Sequence, residues 1–75
     1  MRISFACRVS GIPVTTLRNY VMGGVIKADV TDNGIEIDKD SLLSYVDKHY
    51  GKAVRGRKVF MFPPEVVRKN IEEMG

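Results

Sequence analysis

Four polar side chains within two turns of one predicted helix have the chemistry to read nucleic-acid bases. They are Thr15, Thr16, Arg18 and Asn19. Arginine can pair by two hydrogen bonds with guanine and asparagine with adenine, so this set is typical of a helix that enters the major groove of DNA. We expect the strongest contact from Arg18, made either to a base or to a phosphate. Asn19 faces either the bases or solvent.

A second group of residues has the charge needed to bind phosphate. It comprises Lys52, Arg55, Arg57 and Lys58, with Gly56 at its centre. This composition predicts a loop or a hairpin tip. Its cations would release counterions from a nucleic-acid backbone or enter a minor groove. The alternative is a flexible charged loop without a binding role.

The net charge of +3 is divided unevenly along the chain. Residues 1–26 carry three arginines and no acid, residues 27–50 carry three lysines and six acids, and residues 51–75 carry six bases and three acids. Two basic segments therefore flank an acidic one. If the basic segments meet in space they form one cationic face suited to a polyanion; otherwise they are ordinary solvated surface.

Other kinds of site find little support in the composition. A single cysteine, Cys7, and a single histidine, His49, can form neither an internal disulfide nor a Cys/His metal cluster. Neither a Ser/His/Asp set nor a glycine loop for phosphate is present, so we expect no catalytic residue, cofactor, metal or enzymatic activity. The longest apolar run, residues 59–62, is too short for a membrane span or a signal peptide, which predicts a cytoplasmic protein.

The elements that position these residues begin with two short helices. The first is predicted over residues 4–10, with Ser4 as its cap and Gly11 as its end. Pro13 suits the first turn of the second helix. The apolar residues of that helix recur at three- and four-residue spacing, and Gly23 and Gly24 end it. Its apolar residues are Val14, Leu17, Tyr20 and Val21.

A β-hairpin is predicted directly after the second helix. Apolar residues alternate on both sides of Asn33 and Gly34, a pair that favours a tight type I′ turn. A third helix follows, capped by Asp38 or Asp40 and ending at Gly51. After the basic group, residues 59–62 are predicted to form a buried strand. A fourth helix begins at Pro64, with Val67, Ile71 and Met74 as its apolar stripe.

The spacing of these residues resembles the DNA-binding domain of the MerR-like and excisionase-like winged-helix proteins. The matching residues are Ile3, Ser4, Ala6, Val9, Gly11, Ile12, Thr16, Leu17, Arg18, Tyr20, Gly24, Val25, Ile26, Asn33, Gly34, Ile37 and Leu42. The most specific part is the run 16–20 followed by residues 24–26. The long dimerisation helix of MerR regulators is absent, so the small chain is more similar to excisionases and small phage regulators.

The predicted fold is therefore α+β: a winged helix-turn-helix of short helices with a small antiparallel β-hairpin and a C-terminal strand and helix. Residues 1–75 form one domain. Within it, residues 1–50 are the MerR/excisionase-like core, and residues 51–75 add the basic loop, the strand and the last helix.

The resemblance implies a sequence-specific protein that binds double-stranded DNA. It would serve a phage or mobile element as an excisionase-type architectural factor in DNA recombination or as a small transcriptional regulator. Because one short helix covers few base pairs, we expect self-association on DNA as a dimer or cooperative multimer. An integrase or a host protein is a further partner, and the expected location is the nucleoid of a bacterial or phage-infected cell.

Two departures from the family pattern leave an alternative open. Pro13 replaces the usual hydroxyl cap, so Thr15, Thr16 or the backbone must cap the second helix. The first hairpin carries acids that phosphate would repel. These acids are Asp29, Asp32 and Glu36. The alternative function is a protein-binding adaptor or inhibitor that reuses the winged-helix fold through this acidic wing.

Overall fold

The part of the chain that the structure describes forms four helices and two antiparallel hairpins, an α+β arrangement that confirms the predicted class. The computed structural model describes residues 1–54 and 56–74, with Val54 described by its backbone alone. The elements in order are α1 (Ile3–Ser10), α2 (Val14–Met22), β1 (Ala28–Thr31), β2 (Gly34–Ile37), α3 (Lys39–His49), β3 (Ala53–Val54), β4 (Arg57–Lys58) and α4 (Pro64–Met74).

The N-cap position of helix α1 lies two residues before the predicted cap, and the helix begins at Ile3. Arg2 precedes the first helical turn in an extended conformation, and no side chain caps the helix, so the role assigned to Ser4 is wrong. The reason lies in a distant partner: Arg2 pairs with Glu36 as an isolated antiparallel bridge, and this pairing holds its backbone extended. At the other end, Gly11 has a φ of 75° and donates its N–H to the Cys7 carbonyl, as a left-handed glycine cap does.

Helix α2 begins directly after Pro13, as predicted. Pro13 precedes the helix with an extended ψ of 144°, and the Leu17 N–H donates to the Pro13 carbonyl at 2.9 Å. No side chain caps the helix, so neither Thr15 nor Thr16 has that role. After the helix, the N–H groups of Val25 and Ile26 donate to the Tyr20 carbonyl and turn the chain toward β1.

The first hairpin forms where predicted, but its turn lies one residue earlier. Thr31 pairs with Gly34, so Asp32 and Asn33 form the two-residue loop and Gly34 is the first residue of β2. Gly34 has a φ of 123°, which favours glycine at this position. On the far side of β2, Met1 exchanges backbone hydrogen bonds with Ile37 and extends the hairpin toward a third strand.

Helix α3 has the predicted acidic cap. The Asp38 carboxylate accepts a hydrogen bond from the Ser41 N–H at 3.0 Å. The Ser41 hydroxyl in turn accepts from the Lys27 N–H at 2.9 Å, which ties the start of α3 to the segment before β1.

The predicted strand over residues 59–62 is wrong, because this segment pairs with a helix end instead of a strand. The Phe62 N–H donates to the Ser10 carbonyl at 2.8 Å, and the Asn70 side-chain amide donates to the Val9 carbonyl at 3.1 Å. Both bonds satisfy carbonyls that the end of α1 leaves free. Residues 59–63, which we name the strap, therefore cross the turn between α1 and α2.

One core joins all four helices to the first hairpin. Its buried apolar residues are Ala6, Val9, Ile12, Leu17, Ile26, Ile37, Leu42, Tyr45, Val46, Met61 and Val67. Met74 does not complete the predicted stripe of α4, since it is exposed. No helix among the described residues has the length and apolar character needed to cross a bilayer.

Candidate nucleic-acid interface

Helix α2 presents an open polar face on the side opposite the core. Thr15, Arg18 and Asn19 are exposed, whereas Thr16 is half-buried at the edge of that face. The three exposed residues recur at three- and four-residue spacing and therefore lie one above another. We name them, together with Met22, the α2 face.

Met22 continues the α2 face by one further turn. Its side chain is 76% exposed, and it is not among the predicted site residues. Its position, four residues after Arg18 and three after Asn19, was the signal that could have placed it correctly.

The opposite side of α2 is fixed against the rest of the molecule. Leu17 is fully buried, and the Tyr20 ring packs against the Tyr45 ring of α3 with centroids 4.8 Å apart. Within α3, the ring centroids of Tyr45 and His49 are 4.4 Å apart. The burial of Leu17 and the Tyr20–Tyr45 contact orient the α2 face outward, as a surface that reads a rigid partner requires.

The Tyr45 hydroxyl is buried and has no hydrogen-bond partner among the described residues. Burial raises the pKa of Tyr45 well above its ordinary value, and the neighbouring Tyr20 phenol adds to the rise. The phenol therefore stays neutral across the physiological range, so ionisation of Tyr45 does not disturb the packing of α2 on α3 there.

The basic residues near the carboxyl end lie on a second hairpin. Ala53 pairs with Lys58 and Val54 with Arg57, and Gly56 has a φ of 77° in the connection. The side chains of Lys52, Arg57 and Lys58 are exposed and form no ion pair within residues 1–54 and 56–74. The fourth predicted site residue, Arg55, lies outside the described residues.

The strap carries the base of this second hairpin toward the start of α2. A Cβ atom built on Gly11 would lie 2.9 Å from a ring carbon of Phe60 and 3.2 Å from the ring of Phe62, so both rings cover the α1–α2 turn. Lys58 is two residues before Phe60, a reach of at most roughly 7 Å between Cα atoms. The fold thus brings the β3–β4 hairpin to the end of the molecule where α2 begins.

The first hairpin has the opposite charge. Asp29 and Asp32 are exposed and pair with no base in the described part of the chain, while Glu36 lies 3.9 Å from the Arg2 guanidinium and 3.6 Å from the amino group of Met1. Val30, between the two aspartates on the same hairpin, is 65% exposed. This hairpin repels phosphate and offers an apolar side chain.

Residues with other chemistry are dispersed. Cys7 is half-buried in α1, and His49 is half-buried against Tyr45. Across residues 1–54 and 56–74, no three His, Cys, Asp or Glu side chains come together in a group that could hold a metal ion.

One ion pair joins α3 to α4. The Arg68 guanidinium donates to both oxygens of Asp47 at 2.9 and 2.6 Å. These hydrogen bonds and the attraction between the two charges lower the pKa of Asp47 and raise that of Arg68. Arg68 is thereby neutralised locally and contributes little to a cationic surface.

No family model, curated protein or solved structure matches this chain.

Proposed function

We propose that this protein binds double-stranded DNA in a sequence-specific way, with α1, α2 and the β1–β2 hairpin acting as a winged helix-turn-helix. The observation that carries the proposal is the α2 face: its polar side chains are open to solvent while the other side of the helix is held by the core. A phage or mobile element would use such a protein as an excisionase-type architectural factor or a small transcriptional regulator.

In this proposal α2 lies in the major groove and Arg18 makes the principal contact. Its guanidinium can bond to two acceptors of one guanine or clamp a phosphate, and Asn19 can pair with adenine. Thr15 and Met22 lie at the two ends of the face. The Met22 side chain suits apolar contact with a thymine methyl group.

The β3–β4 hairpin would supply contacts that do not depend on sequence. Lys52, Arg57 and Lys58 have no competing carboxylate among the described residues, so they are free to neutralise phosphates and release counterions. The acidic first hairpin would turn away from the backbone, which restricts the orientations in which the protein can dock.

A single copy reads a short site. Helix α2 has nine residues, and at about 1.5 Å per residue such a helix spans roughly four base pairs. Specific recognition therefore requires two or more copies on neighbouring half-sites, so we propose dimeric or cooperative binding.

The decisive experiment selects bound sequences from random duplexes and then compares variants on the selected site. Arg18→Ala should weaken specific binding by about 5- to 150-fold, the range that one base contact supports, and weaken binding to random duplex much less. Lys69→Ala is the matched control, since it removes one positive charge from α4, where the lysine lies 4.0 Å from Glu73. Equal affinities for the parent and Arg18→Ala would refute the role of the α2 face.

The second candidate function is a protein-binding adaptor that uses the acidic hairpin. Its support is the exposed Val30 flanked by the carboxylates of Asp29 and Asp32, which pair with no base in residues 1–54 and 56–74. A nuclease-treated pull-down would separate the two functions. The adaptor function requires a stoichiometric protein partner that the parent and Arg18→Ala both retain and that Val30→Ser loses.

A further inference from the structure

The strap and the end of α3 form a shallow groove that the α2 face does not use. It has a volume of about 390 Å³ and is lined by Tyr50, Gly51, Lys58, Val59, Phe60 and Met61. Two of its side chains are aromatic and remain open to solvent: Tyr50 is 44% exposed and Phe60 is 66% exposed. Two exposed aromatic side chains in one groove give it an apolar, aromatic lining that solvent can reach.

Phe60 is held in place although it is exposed. Its ring meets the ring of Phe62 edge to face, with centroids 5.6 Å apart and an interplanar angle of 82°. It also lies against Gly11, where a Cβ atom would approach the ring to 2.9 Å. A ring anchored in this way loses little freedom when a ligand stacks on it.

The segment that forms the groove carries only positive charges. No acidic residue occurs between Asp47 and Glu65. Lys58 lines the groove, and Lys52 follows Gly51 directly. A ligand that complements this groove combines a flat aromatic group with negative charge, which is the chemistry of a nucleotide.

We propose that this groove binds an unstacked nucleobase of a single-stranded nucleic acid, with the base on Phe60 and Tyr50 and a neighbouring phosphate at Lys58. Exposed aromatic rings beside cations are the usual means of holding single strands, and they accept any base because every base has a π face. A blunt duplex keeps its bases stacked and cannot fill the groove. The preferred partner is DNA in which a single strand adjoins the duplex bound by α2.

The inference rests on the proposed function for the phosphate-binding role of the β3–β4 hairpin, and it adds a separate base-binding site.

The chain has no tryptophan, so Phe60→Trp creates a single fluorescent reporter in the groove. Titration with a short oligo-dT should quench this fluorescence in a saturable way. Phe60→Leu keeps an apolar side chain over Gly11 but removes the stacking surface.

The Phe60→Leu variant should bind labelled oligo-dT about 5- to 150-fold more weakly than the parent, the loss expected for one stacked base, and should bind a blunt duplex with parental affinity. Val66→Ala is the control, since it shortens an exposed apolar side chain on α4 and should leave both affinities unchanged. Thermal unfolding of each variant verifies that it is folded.

Parental binding of oligo-dT by Phe60→Leu, or the absence of quenching in Phe60→Trp, would overturn the inference. A blue shift of the tryptophan emission with phosphatidylglycerol vesicles, without any response to oligo-dT, would overturn it in favour of a lipid surface. Failure of the proposed function is a different result: quenching by oligo-dT persists while Arg18→Ala binds the selected duplex as the parent does.

Discussion

The two hairpins of this protein differ in what holds them and in the charge they present. The first has strands of four residues, is extended by Met1, and buries Ile37 in the core. The second has strands of two residues, and the side chains described on it are exposed. Among the described residues, the first hairpin has acidic side chains without an ion-pair partner, and the second has basic side chains without one.

This difference separates a hairpin that supports the fold from one that is available for binding. Burial of apolar side chains stabilises the first hairpin, so changes in its inward residues should affect folding. The second hairpin contributes little buried surface, so its residues can be selected for charge alone. The strap that follows it is attached to the fold through the Phe62–Ser10 hydrogen bond and the contact of its rings with Gly11.

The largest expected effect is on stability, from a core residue of the first hairpin. Ile37→Ala should lower the free energy of unfolding by about 2 to 5 kcal/mol, because it leaves a cavity between β2 and the helices. Val30→Ala on the same hairpin is the control and should change it by less than about 0.5 kcal/mol, since Val30 is exposed. Urea denaturation measures both. Similar losses for the two variants would contradict the packing of this hairpin.

A second effect tests how the strap is attached. Gly11 and Gly51 have nearly the same φ, 75° and 76°, so alanine is strained at both positions by about 1 to 2 kcal/mol. At Gly11 the new Cβ also meets the rings of Phe60 and Phe62, whereas at Gly51 it meets nothing within 4 Å. Gly11→Ala should therefore be the more destabilising variant, by about 1 kcal/mol beyond Gly51→Ala.

Thermal unfolding of the two glycine variants makes this comparison directly. About 1 kcal/mol corresponds to roughly 4 to 8 °C in the midpoint of a domain of this size. Equal midpoints would show that the strap rings move aside without cost and that the second hairpin is attached more loosely than the contacts indicate.

A third effect concerns charge and is measured by binding. Arg57→Ala and Lys58→Ala should each reduce the slope of log affinity against log salt by about 0.9 for duplex DNA, one phosphate contact apiece. Asp29→Asn on the first hairpin removes a charge that repels phosphate, so it should raise affinity at low salt. It adds no phosphate contact, so the slope of log affinity against log salt should not become steeper. If variants of both hairpins change the salt slope equally, the two hairpins do not differ in phosphate binding.

Much of the amino-terminal fold could be predicted because neighbouring residues decide it. Pro13 starts α2, Gly11 ends α1, and Asp38 caps α3 through a residue three positions away. The errors arose where a distant partner decides. Arg2 stays extended before α1 because it pairs with Glu36, and Phe62 joins no strand because its N–H donates to the Ser10 carbonyl.

The candidate site also combines features that neighbouring residues decide with features that distant residues decide. The helical period places Thr15, Arg18 and Asn19 on one face, which short-range geometry is enough to predict. The exposure of Phe60 could not be predicted, because an apolar residue beside Met61 in a run of four is ordinarily buried. In the structure the Phe60 ring lies over Gly11, a residue distant in sequence, and against Phe62, and it stays 66% exposed.

The smallest expected effect is a pH dependence at the ion pair that joins α3 to α4. Arg68 lowers the pKa of Asp47 below its ordinary value of 3.8, so the folded state favours the ionised carboxylate more than the unfolded state does. The stabilisation is therefore present above the unfolded pKa and is lost as the pH falls through the folded pKa.

Asp47→Asn should reduce the unfolding midpoint in urea slightly at pH 7 and not at the acidic end of the titration. Asp29→Asn, which removes an unpaired acid of the first hairpin, is the control and should show no such pH-dependent loss. If both variants lose stability in parallel, net charge and not the Asp47–Arg68 pair governs the acid sensitivity, and the α3–α4 joint is held by its apolar contacts alone.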